Sequence, residues 1–340
     1  MDTNNQRYSR QIKLSEIGTQ GQEKLQKAKV LIIGMGGLGC PAAQYLTAAG
    51  VGSIGLVDHD TVDISNLHRQ ILYSESSIGL PKVEAAKVAL QQLNSQTIFQ
   101  TYTEGLTLSN AVGLFQPYDL IIDGTDNFQA KYLINDACLL ANKPWVYASI
   151  YKYEGQISVF NYRSGPSYRC LFPKVPKEDI SCEETGVIGV LPGILGTYQA
   201  TEVLKIILGI GQVLSGKLKI IHTLTMQEQL ITFQPNEDQI NRIKAQPLQL
   251  EAINCEVVDK EKYYLDVREP HEQPQPETKN IIRIPLGQLN ERHQEIPESE
   301  PIYVYCQSGI RSKKAIQFLT ETHNFNNLIN VDGGIQTILK

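Results

Sequence analysis

The feature that most constrains this chain is a glycine run set between two apolar segments. Val30, Leu31, Ile32 and Ile33 read as a buried strand, Gly34-Met35-Gly36-Gly37-Leu38-Gly39 follows at once, and residues 38–49 read as an apolar helix. A second apolar strand over 54–57 ends in Asp58. Glycines at such a junction allow a tight turn and let a phosphate approach backbone N–H groups at the positive end of a helix. The acid after the second strand can accept hydrogen bonds from ribose hydroxyls. Gly34, Gly36, Gly37, Gly39 and Asp58 are therefore candidate nucleotide-binding residues. On these residues alone the nucleotide stays open, and NAD or FAD fits them as well as ATP does.

The strand–helix rhythm continues. Pro81 precedes KVEAAKVALQQL, a helix with Val83, Ala86, Leu90 and Leu93 on one face. Short strands follow at 119–123, 145–148 and 157–160, then an apolar helix over about 195–208. This is the pattern of a doubly wound, Rossmann-like α/β domain. From 236 to 253 the sequence turns polar and Gln-rich, with Pro247 inside it and Pro235 just before, and it reads as a linker. Beyond it a smaller α/β rhythm places strands at 263–267, 281–284, 302–305 and 328–331 and a helix over 312–320. The expected organisation is a nucleotide domain over 1–235, a linker over 236–253 and a small α/β domain over 254–340. Two domains also suit 340 residues, of which 41% are hydrophobic and 20% charged, a mixture that buries a core.

A net charge of −5 gives no electrostatic footprint for a nucleic-acid backbone. The N-terminal residues MDTNNQRYSRQIKL lack an apolar signal segment, and the most apolar stretch, 187–211, carries Glu202 and Lys205. The expectation is a soluble, cytoplasmic protein without nucleic-acid or membrane partners. Six scattered cysteines with no CxxC pair read as reduced thiols.

Residues around the glycine run narrow the chemistry. Asp60 to Gln70, DTVDISNLHRQ, sets Arg69 and polar donors beside the crevice, Lys82 opens a helix, and Gly124-Thr125-Asp126-Asn127 follows a strand at its carboxyl end. Hydride transfer needs neither two cations for a triphosphate nor a carboxylate for its metal, whereas nucleotidyl transfer needs both. Taken singly these residues have plainer readings: Asp126 is a good helix N-cap, and an isolated Arg or Lys is usually a solvated charge.

Taken together, GMGGLG, VDHDTVDISNLHRQ, GLPKVEAAK, DGTDN, the early RYSRQ and the later CEETGVIGVLPGILGTYQA resemble the MoeB/ThiF family of E1-like enzymes over about residues 7–232. That resemblance implies adenylation of the C-terminal Gly-Gly carboxylate of a ubiquitin-like sulfur carrier of the MoaD/ThiS type, with ATP and Mg²⁺. By matching motif, Gly37 and its neighbours would cradle the nucleotide and Asp58 would hold the ribose. Asn66, Arg69 and Lys82 would contact phosphates, and Asp126 with Asn127 would hold Mg²⁺ and the reacting phosphate. Arg10 resembles the arginine that family members supply across a homodimer. Cys182, in the segment resembling the crossover loop, would form a covalent intermediate with the carrier, although Glu183 and Glu184 disfavour a thiolate there.

The family's zinc pattern of two CxxC pairs is broken. Cys170-Leu171-Phe172-Pro173 offers one thiol and no second pair follows, so no zinc site is expected and Cys170 reads as a residual buried thiol. Cys40 and Cys138 lie in apolar helical stretches and read as core.

A second site closes the chain. Cys306-Gln307-Ser308-Gly309-Ile310-Arg311-Ser312 runs from a strand into a helix, where backbone N–H groups, a helix N-terminus and Arg311 favour a thiolate. With LDVRE over 265–269 and VDGGI over 331–335, the segment from about 255 resembles a single rhodanese domain. The four residues between Cys306 and Arg311 match a sulfurtransferase loop, one residue shorter than the phosphatase version. The resemblance implies a persulfide on Cys306, supplied by a donor such as a cysteine desulfurase or thiosulfate. Asp266 and Arg268 read as loop supports, and His271 and His323 as surface residues. The whole reading is an adenylyltransferase joined to a sulfurtransferase that yields a carrier thiocarboxylate, with the molybdopterin pathway placed first. Alternatives are thiazole-pathway or tRNA-thiolation carriers, an NAD- or FAD-dependent oxidoreductase with a rhodanese module, or a carrier-binding scaffold.

Overall fold

The computed structural model describes residues 6–175, 186–245, 248, 262–269, 272, 280–298, 300–307, 309–331 and 334–335. The chain divides into two compact units, Met1–Glu251 and Ala252–Lys340.

The first unit is built on an eight-stranded sheet in the order β3-β2-β1-β4-β5-β6-β7-β8. The strands are β1 (Lys29–Ile33), β2 (Ser53–Val57), β3 (Ile98–Tyr102), β4 (Leu120–Asp123), β5 (Trp145–Tyr151), β6 (Glu154–Phe160), β7 (Lys217–His222) and β8 (Gln227–Thr232). The first five pair in parallel and the last three are added antiparallel. β1 is the branch point: Ile33 pairs with Val57 on one side and with Asp123 on the other. Parallel strands with crossover helices need both faces covered, which is why β4, and β1 from Val30 onward, are continuous runs of buried residues.

Helices α1 (Gly18–Lys27), α2 (Gly39–Ala49), α3 (Lys82–Leu93), α4 (Ala111–Phe115), α5 (Phe128–Ala141) and α6 (Val190–Leu208) supply the cover. One core on one face joins Val30, Ile32, Leu46, Ile54, Leu56, Leu90, Ile122, Leu195 and Val203, and a second on the other joins Leu31, Ile33, Phe115, Ile121, Ile134, Trp145, Tyr147, Phe160 and Tyr168. The alternation of strand residues between these clusters is the two-residue period of a sheet buried on both sides.

Several expectations are corrected. The apolar helix begins at Val190, five residues earlier than the sequence suggests, with Pro192 tolerated in its first turn because that N–H has no intrahelical acceptor. β7 and β8 were not anticipated, and the Gln-rich stretch opens with an ordered helix, α7 (Glu237–Lys244), capped by Asn236. Among the described residues no helix is long and apolar enough to cross a membrane.

The second unit carries a four-stranded parallel sheet, β10-β9-β11-β12, formed by β9 (Tyr263–Asp266), β10 (Ile281–Arg283), β11 (Ile302–Tyr305) and β12 (Leu328–Asn330), with helix α8 (Ile310–His323) against it. Leu265, Val267, Ile302, Val304, Ala315 and Leu319 form its core. His323, expected at the surface, is half-buried and stacks on His293 with ring centroids 3.7 Å apart.

Candidate active sites

The order 3-2-1-4-5 reverses direction at β1, and open α/β sheets bind ligands outside the carboxyl ends of the strands at that reversal. The glycine run leaves β1 there and Gly124 leaves β4 beside it. Gly34 has φ +88°, and a Cβ on it would lie 2.7 Å from the Gly124 carbonyl carbon. Gly39 lies over the Gly34 carbonyl oxygen, and a Cβ on Gly37 would come within 2.9 Å of Pro192 in α6. Gly36 differs: a Cβ there would meet nothing nearer than the Gln70 amide at 3.7 Å. Three glycines thus exist for packing and one borders open space. The Gly36, Gly37 and Leu38 amides at the head of α2 donate to no protein acceptor among the described residues.

Asp58 accepts hydrogen bonds from the Met35 amide at 2.7 Å and the Asp60 amide at 2.9 Å, which fixes the glycine run to the end of β2. Burial raises its pKa against the opposing pull of the Lys82 charge. Lys82, 8% exposed at its side chain, pairs with Asp60 at 2.9 Å. The Tyr73 hydroxyl donates to the Met35 carbonyl at 2.8 Å and the Lys82 carbonyl at 3.3 Å, tying α3 to the glycine run. Arg69 donates to the Ser65 carbonyl and meets His68 Nε2, both at 2.9 Å, and its Cγ lies 3.6 Å from where a Gly37 Cβ would be. Asn66 accepts from the Asp63 amide at 3.1 Å in a reciprocal cap. The side-chain oxygen of Gln70, a residue 3% exposed, has no partner among the described residues.

Asp126 is exposed and forms no ion pair among the described residues, so its carboxylate is available to a ligand. The helix N-cap belongs to Asn127 instead, whose side-chain oxygen accepts from the Ala130 amide at 2.8 Å. Arg10 is exposed on a short helical turn, Ser9–Ile12. Cys182 lies outside the described residues, as do Cys255 and His271.

Sequence reasoning missed the buried charges below Asp126. Lys131, in α5, donates to Asp123 Oδ2 at 2.8 Å and to the Thr125 and Ala148 carbonyls at 2.9 Å each. Asp123 also accepts from the Thr125 amide and hydroxyl. Gln199, from α6, donates to the Asp123 and Val146 carbonyls at 2.6 and 3.2 Å, linking the ends of β4 and β5. The available signal was a lysine in the otherwise apolar helix FQAKYLINDACLLA, since a buried ammonium requires a carboxylate partner.

The thiols fall as their settings dictate. Cys40 and Cys138 are fully buried, and desolvation pushes the Cys40 thiol up to about 12. Cys170, expected to be buried, is half-exposed and accepts from the Ser167 and Asn236 amides at 3.4 and 3.2 Å.

In the second unit Cys306 follows β11 and is fully buried. Its sulfur accepts from the Gly309 amide at 3.1 Å and its carbonyl from the Ile335 amide at 2.7 Å, and the Ser312 Oγ lies 3.7 Å from the sulfur with nearer acceptors in Asn330 Oδ1 at 2.7 Å and the Gly309 carbonyl at 2.9 Å. Gly309, at φ +95°, makes the turn into α8. Asp266 receives the Tyr305 hydroxyl at 2.8 Å and the Arg268 guanidinium at 2.9–3.0 Å, and Arg268 reaches Gln307 at 3.4 Å. Both residues therefore brace the loop, as expected. Arg311 makes two contacts of 2.6 Å with Glu272, a partner the sequence did not reveal. That fork holds the Glu272 carboxyl down at about 2 and raises Arg311, to which the Cys306 sulfur also contributes.

Comparison with known proteins places these geometries in a family. The ThiF family model matches residues 8–242 and the rhodanese-like domain model residues 250–340. A Drosophila pseudoobscura pseudoobscura protein described as adenylyltransferase and sulfurtransferase MOCS3-2 is 37% identical over 97% of this chain and 82% of its own length. An Anopheles gambiae protein described as adenylyltransferase and sulfurtransferase MOCS3 is 53% identical over 62% of this chain, and the match spans about half (48%) of that relative. Among solved structures, Escherichia coli MccB with MccA-N7isoASN shares the fold at a TM-score of 0.62 and 22% identity, over 68% of this chain and 72% of that one. MccB with ATP does so at 0.59 and 24%, over 68% and 73%.

Proposed function

The chain belongs to the ThiF family and continues into a rhodanese-like domain, and from that premise we propose that it adenylates and then sulfurates the C-terminal Gly-Gly carboxylate of a ubiquitin-like sulfur carrier. Adenylyl transfer is assigned to residues 1–235 and sulfur transfer to 254–340, in a cytoplasmic homodimer serving a molybdopterin-type carrier first and thiazole or tRNA-thiolation carriers as alternatives.

In the first step a carboxylate oxygen of the carrier attacks the α-phosphorus of ATP, the bond to the β-phosphate oxygen breaks and pyrophosphate leaves. The free amides at the head of α2 cradle phosphate, Asp58 holds the ribose, and Asn66, Arg69, Lys82 and a partner subunit's copy of Arg10 offset the charge on the phosphates. The open space at Gly36 and the unpartnered Gln70 oxygen fit a bound nucleotide. Asp126 with Asn127 would hold Mg²⁺, which neutralises phosphate charge when bound.

In the second step the outer sulfur of a Cys306 persulfide attacks the acyl carbon and AMP leaves, giving an acyl disulfide. A small thiol reductant then attacks the Cys306 sulfur, Cys182 remaining the candidate for a covalent intermediate with the carrier. The carrier thiocarboxylate departs and a disulfide remains on Cys306. Holding both centres on one chain raises the effective concentration of the second nucleophile against hydrolysis of the acyl-adenylate.

The observation that carries the reading is the meeting of the glycine run and the Gly124 loop at the branch of the sheet, with Arg69 and Lys82 alongside. The test is ATP–pyrophosphate exchange with a panel of Gly-Gly-ended carriers, each compared with the same carrier lacking its terminal glycine. Exchange that requires one intact carrier supports the reading and names the pathway. Absence of exchange with every carrier, from protein that binds ATP, overturns the substrate class.

A further inference from the structure

Two guanidinium groups flank the Cys306 loop, and each is matched by a carboxylate. Arg268 is 4% exposed and forked on Asp266, while Arg311 is forked on Glu272 through two contacts of 2.6 Å. Glu272 and Arg311 stand far apart in sequence, and the Glu272 side chain is 19% exposed, so the pair is partly withdrawn from solvent. The charge that would attract an anion to this sulfur is thus cancelled at the position closest to it in sequence on α8.

We propose that Glu272 is a specificity-determining residue of the sulfur site: by neutralising Arg311 it disfavours doubly charged sulfane donors such as thiosulfate relative to persulfides of the R–S–SH class. The proposal rests on the reading of Cys306 as the sulfur-carrying thiol. Two reactions can load that thiol. With thiosulfate, the Cys306 thiolate attacks the outer sulfur, the S–S bond breaks, and sulfite leaves with the electron pair. With a persulfide, the same thiolate attacks the terminal sulfur and R–S⁻ leaves, the proton staying on the transferred sulfur. Both steps balance without an external oxidant or reductant. They differ in the charge brought against the attacking thiolate. A dianion must be held next to an anionic sulfur, which requires an uncompensated cation, whereas a persulfide brings little charge to the reacting atoms. The backbone amide of Gly309 is aimed at the sulfur at 3.1 Å, a neutral donor that can hold a single anionic sulfur without a free cation, while the Ser312 hydroxyl has nearer acceptors in Asn330 Oδ1 at 2.7 Å and the Gly309 carbonyl at 2.9 Å.

The experiment uses the full chain and follows persulfide formation on Cys306 by mass spectrometry, with thiosulfate and with glutathione persulfide as donors. The quantity read is the ratio of kcat/KM for the two. Glu272→Gln keeps the shape and removes the charge, and it is expected to raise the thiosulfate-to-persulfide ratio by up to about fivefold, the size of one partly exposed ionic contact. Glu272→Asp retains the carboxylate and is expected to keep the ratio near that of the unaltered protein. A ratio that stays level or falls in folded Glu272→Gln overturns the proposal. So does equal loss of both donors, which would make Glu272 a support of the loop. Loading that survives Cys306→Ala would instead overturn the assignment of Cys306, a separate failure because it does not involve Glu272.

Discussion

Gly34 and Gly124 lie backbone against backbone: a Cβ on Gly34 would sit 2.7 Å from the Gly124 carbonyl, and one on Gly124 2.5 Å from the Gly34 carbonyl oxygen. Neither atom can yield without moving a strand end. Gly124→Ala should therefore lower the stability of the first unit by about 2 kcal/mol and abolish carrier-dependent exchange. Denaturant melts of the full chain, read together with the exchange assay, check both effects.

Lys131 and Asp123 form a buried pair whose members are 2% and 0% exposed. Lys131→Met leaves a carboxylate without its cation in the interior, at a cost of about 3–5 kcal/mol. Adding Asp123→Asn removes the orphaned charge, so the double variant should be more stable than Lys131→Met alone. A double variant no more stable than the single one would mean that the ammonium matters for packing and not for charge.

The two proposed centres should separate by mutation. Asp126→Ala is expected to abolish ATP–pyrophosphate exchange while Cys306 still accepts sulfur, and Cys306→Ala to do the reverse. Joint loss of both activities from either folded variant would contradict two separate sites.

Asn127 caps α5 through its side-chain oxygen. Asn127→Asp keeps a good cap and should leave stability nearly unchanged, whereas Asn127→Ala should cost about 1 kcal/mol. If exchange falls in Asn127→Asp with stability intact, the residue also serves the phosphate.

Glu272 links the second unit's stability to pH. Its folded pKa, about 2, lies below the ordinary value of 4.5. Its contribution is therefore fully present above about 4.5 and is lost as the pH falls through about 2. Glu272→Gln should flatten that acid limb in a pH series of unfolding midpoints.

How far the sequence could be read depends on where each residue's partner lies. The junctions that carry the glycine run, Asp58 and the Cys306 loop were legible because strand, turn and helix are consecutive there. β8 was not: QEQLIT is exposed along its whole length, so no apolar alternation announces it. α1 escaped for a similar reason, since only Gly21, Gln22 and Leu25 of its polar sequence are buried. Lys131 reaches the Ala148 carbonyl of β5 and Gln199 the Asp123 and Val146 carbonyls of β4 and β5, contacts that only the assembled sheet brings together, and Glu272 meets Arg311 from a distant part of the sequence. The N-cap shows the finest limit, because Asp126 and Asn127 are both good caps and only the backbone decides between them.

Because β1 pairs with both β2 and β4, the crevice has two authors that are synthesised at different times. A growing chain that has reached β3 already holds the glycine run, Asp58, Arg69 and Lys82, but it ends before Gly124 and Asp126 exist. Until β4 docks, the run borders a sheet edge with one wall. The proposed nucleotide capture is thereby a property of the assembled sheet, acquired late in biogenesis, and a product truncated before β4 is expected to lack it.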